Sequence, residues 1–373
     1  MSTRKVRLFI DPFTHHHEGD RLFDLSAGAG GGDDVLEPFV HLRSELERRG
    51  IECHTADLLE RTPVDGGVNL YVSLGQQHRF TRLERRGDVV LSAFFALEAP
   101  IVEPSLFRGL PRVAATFNRV FSYSSTDALR EFTGTAVPVL PVRLPQAYGE
   151  VHRELWERGG RRLLVMISAN KLPRLYVREL YTERLRAIEF FDRFHEIDLY
   201  GVGWEGPPFR VGTTWAPGSL RRLSRRARLR WHRFRPPSDP VWKAVRHAYR
   251  GPVDSKAQTM SGYTFAICFE NMVLEGWITE KIFDCLFCGT VPVYLGAPDI
   301  ERWVPPECFI DMRRFASYEE LREYLRGLSP MEIAAFREAG REYVRSDRYR
   351  PFTKQAFADL MLRIVEEDAG VVL

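Results

Sequence analysis

Residues 263–296 read YTFAICFENMVLEGWITEKIFDCLFCGTVPVYLG, and this stretch decides the fold class. The apolar run at 263–269 predicts a buried strand, and the spacing of apolar residues at 279–288 predicts an amphipathic helix. A second apolar run at 290–295 predicts another strand. A strand, a helix and a strand in this order are typical of a βαβ unit, in which both strands lie parallel in one sheet.

The same alternation extends along most of the chain. Further strands are predicted at 6–10, 68–74, 89–97, 163–168 and 197–201. Further helices are predicted at 36–49, 177–191, 318–325, 331–344 and 352–366. Two consecutive α/β halves follow from this pattern. We place the domains at 1–155 and 156–345, with a C-terminal helix at 346–373 and a basic insertion at 204–252 within the second domain.

The composition is that of a folded chain with two cores. The chain has 373 residues, of which 44% are hydrophobic, and its net charge of +3 excludes a protein built as a whole to bind polyanions. Five cysteines, an odd and sparse number, argue against a disulfide framework and favour a reducing compartment. We find no signal-peptide pattern and no apolar run of about 18 residues, so we expect a cytoplasmic protein.

The segment FENMVLEGWITEK, at 269–281, carries the chemistry. It joins the carboxyl end of a strand to the amino end of a helix, where ligands bind in open α/β sheets. The helix end favours phosphate, and Lys281 adds a positive charge there. Glu280 and Asn271 are suited to ribose hydroxyls, and we expect the Thr279 hydroxyl to cap the helix. The segment therefore predicts a nucleotide-diphosphate site, with an ordinary capped and solvated helix start as the alternative.

This segment and its surroundings resemble glycosyltransferase family 10, the fucosyltransferase family, and especially its soluble bacterial members. The resemblance rests on FEN at 269–271, ITEKIFD at 278–284 and GTVPVYLGAP at 289–298. It continues into CFIDMRRFASYEELREYL at 308–325, with YRGPVDSK at 249–256 upstream. A weaker match runs through most of the first half of the chain.

The resemblance implies a GT-B fold, which consists of two Rossmann-like domains with the active site in the cleft between them. It also implies an inverting α-1,3-type transfer of L-fucose from GDP-fucose to a hydroxyl group of a glycan acceptor, with no metal and no cofactor. The sequence contains no Asp-x-Asp triplet, which agrees with a metal-independent mechanism. Two alternatives remain open, which are the same fold with another nucleotide sugar and a non-catalytic module that binds a sugar nucleotide.

The resemblance assigns roles on the donor side. Lys281 matches the lysine that contacts the donor phosphate, Glu280 the glutamate on the ribose, and Asn271 the asparagine near the nucleotide. Trp277 stands where the family usually has tyrosine, so an aromatic face is kept and a hydroxyl is lost. This departure removes any hydrogen bond from that hydroxyl to the donor, which leaves another nucleotide sugar open as the alternative.

The resemblance also implies a phosphate-binding arginine and a general base. The arginine is expected in the first helix of the second domain, predicted at 177–191. In the surrounding segment at 168–185, Arg178 aligns best and Arg174, just before the helix, is the alternative. The base matches Glu98 in the segment LEAP, and Glu103 nearby is the alternative. Because Glu98 follows a buried strand, we expect burial to raise the pKa of its carboxyl towards a range useful for proton abstraction.

Three other features carry weaker signals. The run SLRRLSRRARLRWHRFR at 219–235 is a basic amphipathic helix, interpreted as a solvated face or as a peripheral contact with anionic lipid at the inner membrane face; we do not expect nucleic-acid binding. His15, His16 and His17 are interpreted as part of a loop rather than as a metal site. Cys285 and Cys288 are interpreted as small hydrophobic residues of a helix.

Overall fold

The computed structural model describes residues 5–27, 35–75, 78–210 and 239–371. The basic run at 219–235 lies outside the described residues. The chain divides into two compact units by its internal contacts. The first comprises Met1–Pro100, Pro104–Gly149 and Asp347–Leu373, and the second comprises Ile101–Glu103 and Glu150–Ser346.

Strands and helices alternate as the apolar pattern predicts. The strands are β1 (Val6–Asp11), β2 (Glu52–Thr55), β3 (Val68–Ser73), β4 (Val89–Ala96), β5 (Arg119–Ser122), β6 (Leu140–Pro141), β7 (Arg162–Ile167), β8 (Lys171–Leu172), β9 (Ile197–Tyr200), β10 (Phe209–Arg210), β11 (Tyr249–Gly251), β12 (Tyr263–Phe269), β13 (Val291–Leu295) and β14 (Ile310–Asp311). The helices are α1 (Glu37–Glu47), α2 (Phe80–Leu83), α3 (Pro104–Ala114), α4 (Thr126–Thr133), α5 (Arg153–Trp156), α6 (Tyr181–Asp192), α7 (Pro240–Ala248), α8 (Lys256–Met260), α9 (Glu280–Cys288), α10 (Tyr318–Gly327), α11 (Pro330–Val344) and α12 (Lys354–Ala369). Within the described ranges, no helix combines the length and the apolar character needed to cross a membrane.

The first unit is built on a parallel sheet with the strand order β2-β1-β3-β4-β5-β6. Every residue of β1 and of β3 is buried. Strands of parallel sheets are covered on both faces, so they read as continuous apolar runs rather than as alternating ones. This is why short apolar runs predicted these strands from the sequence.

Helix α12 belongs to the first unit, although it lies at the end of the chain. Phe357 packs against the rings of Phe39 and Phe95, and Arg119 forms an ion pair of 2.8 Å with Asp368. We predicted a separate C-terminal helix at 346–373 and a domain boundary after residue 155, whereas the contacts attach α12 to the first sheet and begin the second unit at Glu150. The helical pattern of α12 shows an apolar face but does not reveal which sheet covers it.

The second unit is built on a parallel sheet with the order β11-β9-β7-β12-β13-β14, and β8 pairs with β10 in a separate ribbon. Counted along the unit, the six strands of the main sheet run 3-2-1-4-5-6, the order of Rossmann dinucleotide-binding domains. The strand order reverses between β7 and β12. In such sheets ligands bind beside the carboxyl ends of the strands at this reversal, which here are the segments that follow Ile167 and Phe269.

Candidate functional site

The carboxylate of Glu270 is the centre of the candidate site. Glu270 follows β12 directly, and its side chain is fully buried. Its Oε1 accepts a hydrogen bond of 2.8 Å from the backbone N–H of Thr279, and its Oε2 lies 2.8 Å from the Thr279 hydroxyl and 3.2 Å from the Nζ atom of Lys281. The carboxylate therefore ties the end of β12 to the start of α9.

Thr279 is the N-cap residue of α9, but its side chain does not make the capping hydrogen bond that the sequence predicted. Its hydroxyl lies between the Glu270 carboxylate and Lys281, whose Nζ atom donates to it at 2.8 Å. The predicted cap is wrong because the hydroxyl donates to the Glu270 carboxylate and accepts from the ammonium group of Lys281, a stronger donor than a neutral N–H group of the helix. As a result, Thr279 does not compete with an anion for the N–H groups of the first turn.

Charged side chains surround the amino end of α9. Burial would lower the pKa of Lys281, but Glu270 and Glu280 outweigh it and raise that pKa above its ordinary value. Burial would raise the pKa of Glu280, but Lys281 and Lys256 lower it to about 2. Burial raises the pKa of Asp284 to about 6, although Lys256 donates to this carboxylate at 3.2 Å. At neutral pH the helix therefore begins with an ammonium group beside a carboxylate.

Arg184 of α6 is a site residue that the sequence did not single out. Its Nη2 atom donates to the carbonyl oxygens of Phe269 and Glu270 at 2.6 Å each, and to Oδ1 of Asn271 at 3.2 Å. The guanidinium group is buried, which lowers its pKa. Arg184 thus holds the carboxyl end of β12 and orients Asn271. A helical pattern alone does not distinguish such an arginine from its exposed neighbours.

Arg178 does not lie on the helix that was predicted at 177–191, because α6 begins at Tyr181. Arg178 adopts a left-handed backbone with φ of 49°, and its carbonyl oxygen accepts a hydrogen bond of 2.8 Å from the N–H of Val273. The segment before α6 pairs with the loop after β12 instead of extending the helix. Arg178 is exposed and lies beside this loop. Arg174 lies four residues earlier in the same segment. The role of either residue as phosphate ligand stays a prediction.

The loop between β12 and α9 is held by a hydrogen bond to Asp299 and by the burial of Trp277. The N–H of Gly276 donates to Oδ1 of Asp299 at 2.8 Å. Trp277 follows in the loop with only 3% of its surface exposed. Because it is so deeply buried, Trp277 offers little area to a ligand and mainly supports the loop from the protein side.

Gly296 follows β13 and faces the Glu270 side chain. A Cβ atom at this position would lie 2.5 Å from Cγ of Glu270 and 2.6 Å from the hydroxyl oxygen of Tyr294. Both distances are shorter than van der Waals contact, so only glycine fits without moving the carboxylate. The glycine of the GTVPVYLGAP segment therefore shapes the site.

A small cavity opens at the carboxyl end of β7 in the same unit. Its lining includes Arg184 and the rings of Tyr181, Trp204 and Trp242. Ser168 also lines it, and its buried hydroxyl has no hydrogen-bond partner among the described residues. Aromatic walls with one unsatisfied polar atom are typical of a ligand site.

Glu98 lies in the first unit, two residues after β4. Its side chain is half-buried, and its Oε1 atom accepts a hydrogen bond of 2.8 Å from the N–H of Ala99. The structure therefore places Glu98 at the carboxyl edge of the first sheet, as the sequence predicted. Glu103 lies immediately before α3 and is also half-buried. The role of Glu98 as general base stays a prediction.

The chain matches known proteins mainly over the region that contains the candidate donor site. Residues 241–337 match the family model described as glycosyltransferase family 10 (fucosyltransferase) C-term. The chain is 40% identical over 75 residues to an alpha-(1,4)-fucosyltransferase of Arabidopsis thaliana and 34% identical over 85 residues to the alpha-(1,3)-fucosyltransferase FucT of Helicobacter pylori. These matches cover 20% and 23% of this chain and only 19% and 18% of those relatives. Over residues 241–337 they confirm the predicted resemblance to this family.

The overall fold also has a counterpart among solved structures. A glycosyltransferase from Rickettsia africae ESF-5 aligns over 98% of both chains with a TM-score of 0.52 and 10% sequence identity. At this identity the likeness concerns the fold alone. Together with the two parallel-sheet α/β units, it confirms the predicted GT-B fold class.

Proposed function

We propose that this chain, which matches the model of glycosyltransferase family 10 over residues 241–337, is an enzyme that transfers L-fucose from GDP-fucose to a hydroxyl group of a glycan. One observation carries the proposal. Lys281 and the amino end of α9 meet beside the point where the strand order of a Rossmann-like sheet reverses, inside the matched region. This is the place where such sheets bind nucleotide phosphates.

The departing diphosphate needs positive charge. The ammonium group of Lys281 is held by Glu270 and Thr279 at the amino end of α9, and 24% of the lysine side chain remains exposed. The helix dipole adds to this charge, and Arg178 lies beside the same loop. Fixed positive groups of this kind stabilise the leaving group without a metal ion. Glu280, anionic at neutral pH, provides acceptors for the ribose hydroxyls.

The transfer itself requires a base. In the proposed inverting mechanism, the acceptor oxygen attacks the anomeric carbon of fucose from one face while the bond to GDP breaks on the opposite face. The carboxylate of Glu98 takes the proton of the attacking hydroxyl. The N–H of Ala99 orients this carboxylate through Oε1. A positioned base typically contributes about 10²- to 10⁴-fold to the rate.

Fucose is supported as the transferred sugar by what the relatives share. The names of the plant and bacterial relatives differ in the linkage formed and agree on fucosyl transfer. The rival proposal is that the same site uses another nucleotide sugar. The observation that favours it is the tyrosine hydroxyl missing at position 277, and not a ligand contact of the buried tryptophan ring.

We also propose a cytoplasmic protein whose basic run at 219–235 contacts anionic lipid. Sedimentation with vesicles tests this contact. Binding to phosphatidylserine-containing vesicles and not to phosphatidylcholine vesicles supports it, and equal binding to both contradicts it.

The test of the proposed function is turnover of GDP-fucose by the purified chain, compared with GDP-mannose and UDP-sugars and repeated in EDTA. We expect GDP release from GDP-fucose alone, with no loss in EDTA. Glu98→Gln should lower turnover by at least about 100-fold with unchanged affinity for GDP-fucose, and the matched variant Glu103→Gln should behave as wild type. Turnover of another donor alone, a loss of activity in EDTA, or an active Glu98→Gln variant contradicts the proposal.

A further inference from the structure

The carboxyl end of α6 carries a group of polar side chains that takes no part in the proposed donor site. Asp192, His195 and His247 each offer one ligand atom, and these atoms lie within 4.8 Å of one another. Nδ1 of His247 lies 2.6 Å from Oδ1 of Asp192, and the two imidazole rings are 4.7 Å apart between centroids. We propose that these three side chains bind a divalent transition-metal ion, with zinc as the best match.

The backbone at His195 is the first supporting observation. Helix α6 ends in a Schellman motif, in which the N–H of His195 donates to the carbonyl of Asp192 at 3.0 Å and the N–H of Glu196 donates to that of Phe191 at 3.2 Å. His195 occupies the left-handed position of this motif, with φ of 56°. Glycine is the usual residue there because a Cβ atom disfavours this conformation. His195 therefore occupies a backbone position that its Cβ atom disfavours, and its ring lies beside His247.

The electrostatic surroundings are the second observation. The carboxyl ends of α6 and α7 come together at this group, and each carries partial negative charge that favours a cation. Arg250 donates to the carbonyl of His247 at 2.6 Å, but its Nε pairs with Asp198 at 2.6 Å. The charge of this arginine is thus directed at another carboxylate, while Asp192 bonds to a histidine.

The ligand chemistry selects the class of metal. Imidazole nitrogens with one carboxylate suit zinc and its neighbours in the first transition row, whereas magnesium and calcium prefer oxygen ligands alone. Around a tetrahedral zinc ion such ligand atoms lie about 3.3 Å apart. The His247 side chain is 53% exposed, and His195 is also exposed, so small side-chain rotations reach this spacing. Water completes the coordination.

This site is separate from the donor site. Arg184 and Asp192 are eight residues apart on α6, which corresponds to about 12 Å along the helix axis, and they lie towards opposite ends of that helix. A zinc ion at the carboxyl end would join α7 to α6. We therefore expect it to stabilise the fold and to leave metal-independent transfer unchanged.

The test uses the full chain, stripped with EDTA, in thermal unfolding and calorimetric titration with zinc chloride or magnesium chloride. For the wild type we expect one zinc ion per chain and a rise in Tm of roughly 3–8 °C at a hundredfold excess over Kd, with no response to magnesium. His195→Gly is the decisive variant. It should raise the Tm of the metal-free chain, because glycine suits the left-handed position, and lose at least tenfold in zinc affinity.

His247→Ala should lose the zinc response as well, and the double variant His15→Ala, His16→Ala should keep it. Loss of the response in the His15, His16 variant alone would assign zinc to the amino-terminal histidines and overturn the proposal. A full zinc response in His195→Gly, or an equal response to magnesium, would also overturn it.

Discussion

Replacement of Lys281 by methionine tests the donor site directly. Its Nζ atom is the ammonium group beside the amino end of α9, where it lies 3.2 Å from Glu270 and 2.8 Å from the Thr279 hydroxyl. A hydrogen bond to a charged group is worth about 1.5–3 kcal/mol. The loss of one such bond to the donor phosphate should therefore weaken GDP binding by roughly 10- to 150-fold.

The substitution also affects folding, and this effect must be separated from binding. Glu270 is fully buried, and the removal of one partner from a buried ion pair costs about 3–5 kcal/mol. We expect the lower end of this range, because Glu270 keeps its hydrogen bonds to Thr279. The double variant Glu270→Gln, Lys281→Met removes both charges and should recover much of the free energy of unfolding without recovering GDP affinity.

The assay is calorimetric titration of GDP, with urea denaturation of each variant alongside it. Lys243→Ala, which removes an exposed lysine of α7 in the same unit, is the control and should bind GDP as the wild type does. If folded Lys281→Met and the double variant both bind GDP with wild-type affinity, Lys281 is not the phosphate ligand and the donor-site assignment is wrong.

Three further predictions concern the same unit. Gly296→Ala should lower the Tm and weaken GDP binding, because its Cβ atom would lie 2.5 Å from Cγ of Glu270; calorimetry measures both, and wild-type values would contradict it. Burial raises the pKa of Asp284 to about 6, whereas the carboxyl group of the unfolded chain has a pKa of about 3.9. Between these values the native state binds a proton that the unfolded state has lost. The free energy of unfolding should therefore fall by up to roughly 3 kcal/mol from pH 4 to pH 7. Asp284→Asn should remove this decrease in urea titrations, and an unchanged pH slope would refute the assignment. Arg184→Lys should lower the free energy of unfolding by about 2 kcal/mol in the same titrations. An ammonium group cannot make both hydrogen bonds that the guanidinium group donates to the carbonyl oxygens at the end of β12. Wild-type stability would show that these hydrogen bonds contribute little.

The sequence predicted the elements of the fold better than their long-range partners. The strand at 263–269 is β12 within the same bounds, and α9 begins one residue after the predicted start. Continuous apolar runs are sufficient for this because both faces of a parallel strand are covered. The position of α12 in the first unit depends instead on contacts with residues several hundred positions away, such as the packing of Phe357 on Phe39.

The geometry of the candidate site could be foreseen only in part, for a similar reason. Lys281 and Glu280 could be chosen as candidates from the local sequence alone. They stand at the amino end of a helix that follows a strand, and such helix ends often bind phosphate. Glu270 lies in the same quoted segment, yet its role arises only from the approach of Thr279 and Lys281 to its carboxylate. The role of Arg184 depends on a carbonyl oxygen 85 residues away along the chain. No local sequence pattern indicates a contact over this separation.

The hydroxyl of Thr279 bears on the two interpretations of the segment that begins α9, a capped helix start and a phosphate site. An ordinary capped helix start requires this hydroxyl to accept from an N–H group of the first turn. In the structure it makes no such bond and lies 2.8 and 3.0 Å from the two carboxylate oxygens of Glu270. A capping side chain would satisfy the helix end by itself and reduce its attraction for an anion. Because the Thr279 hydroxyl is engaged by Glu270 and Lys281, it leaves the N–H groups of the first turn uncapped, with the ammonium group of Lys281 close to them. This arrangement favours the interpretation of the segment as a phosphate site.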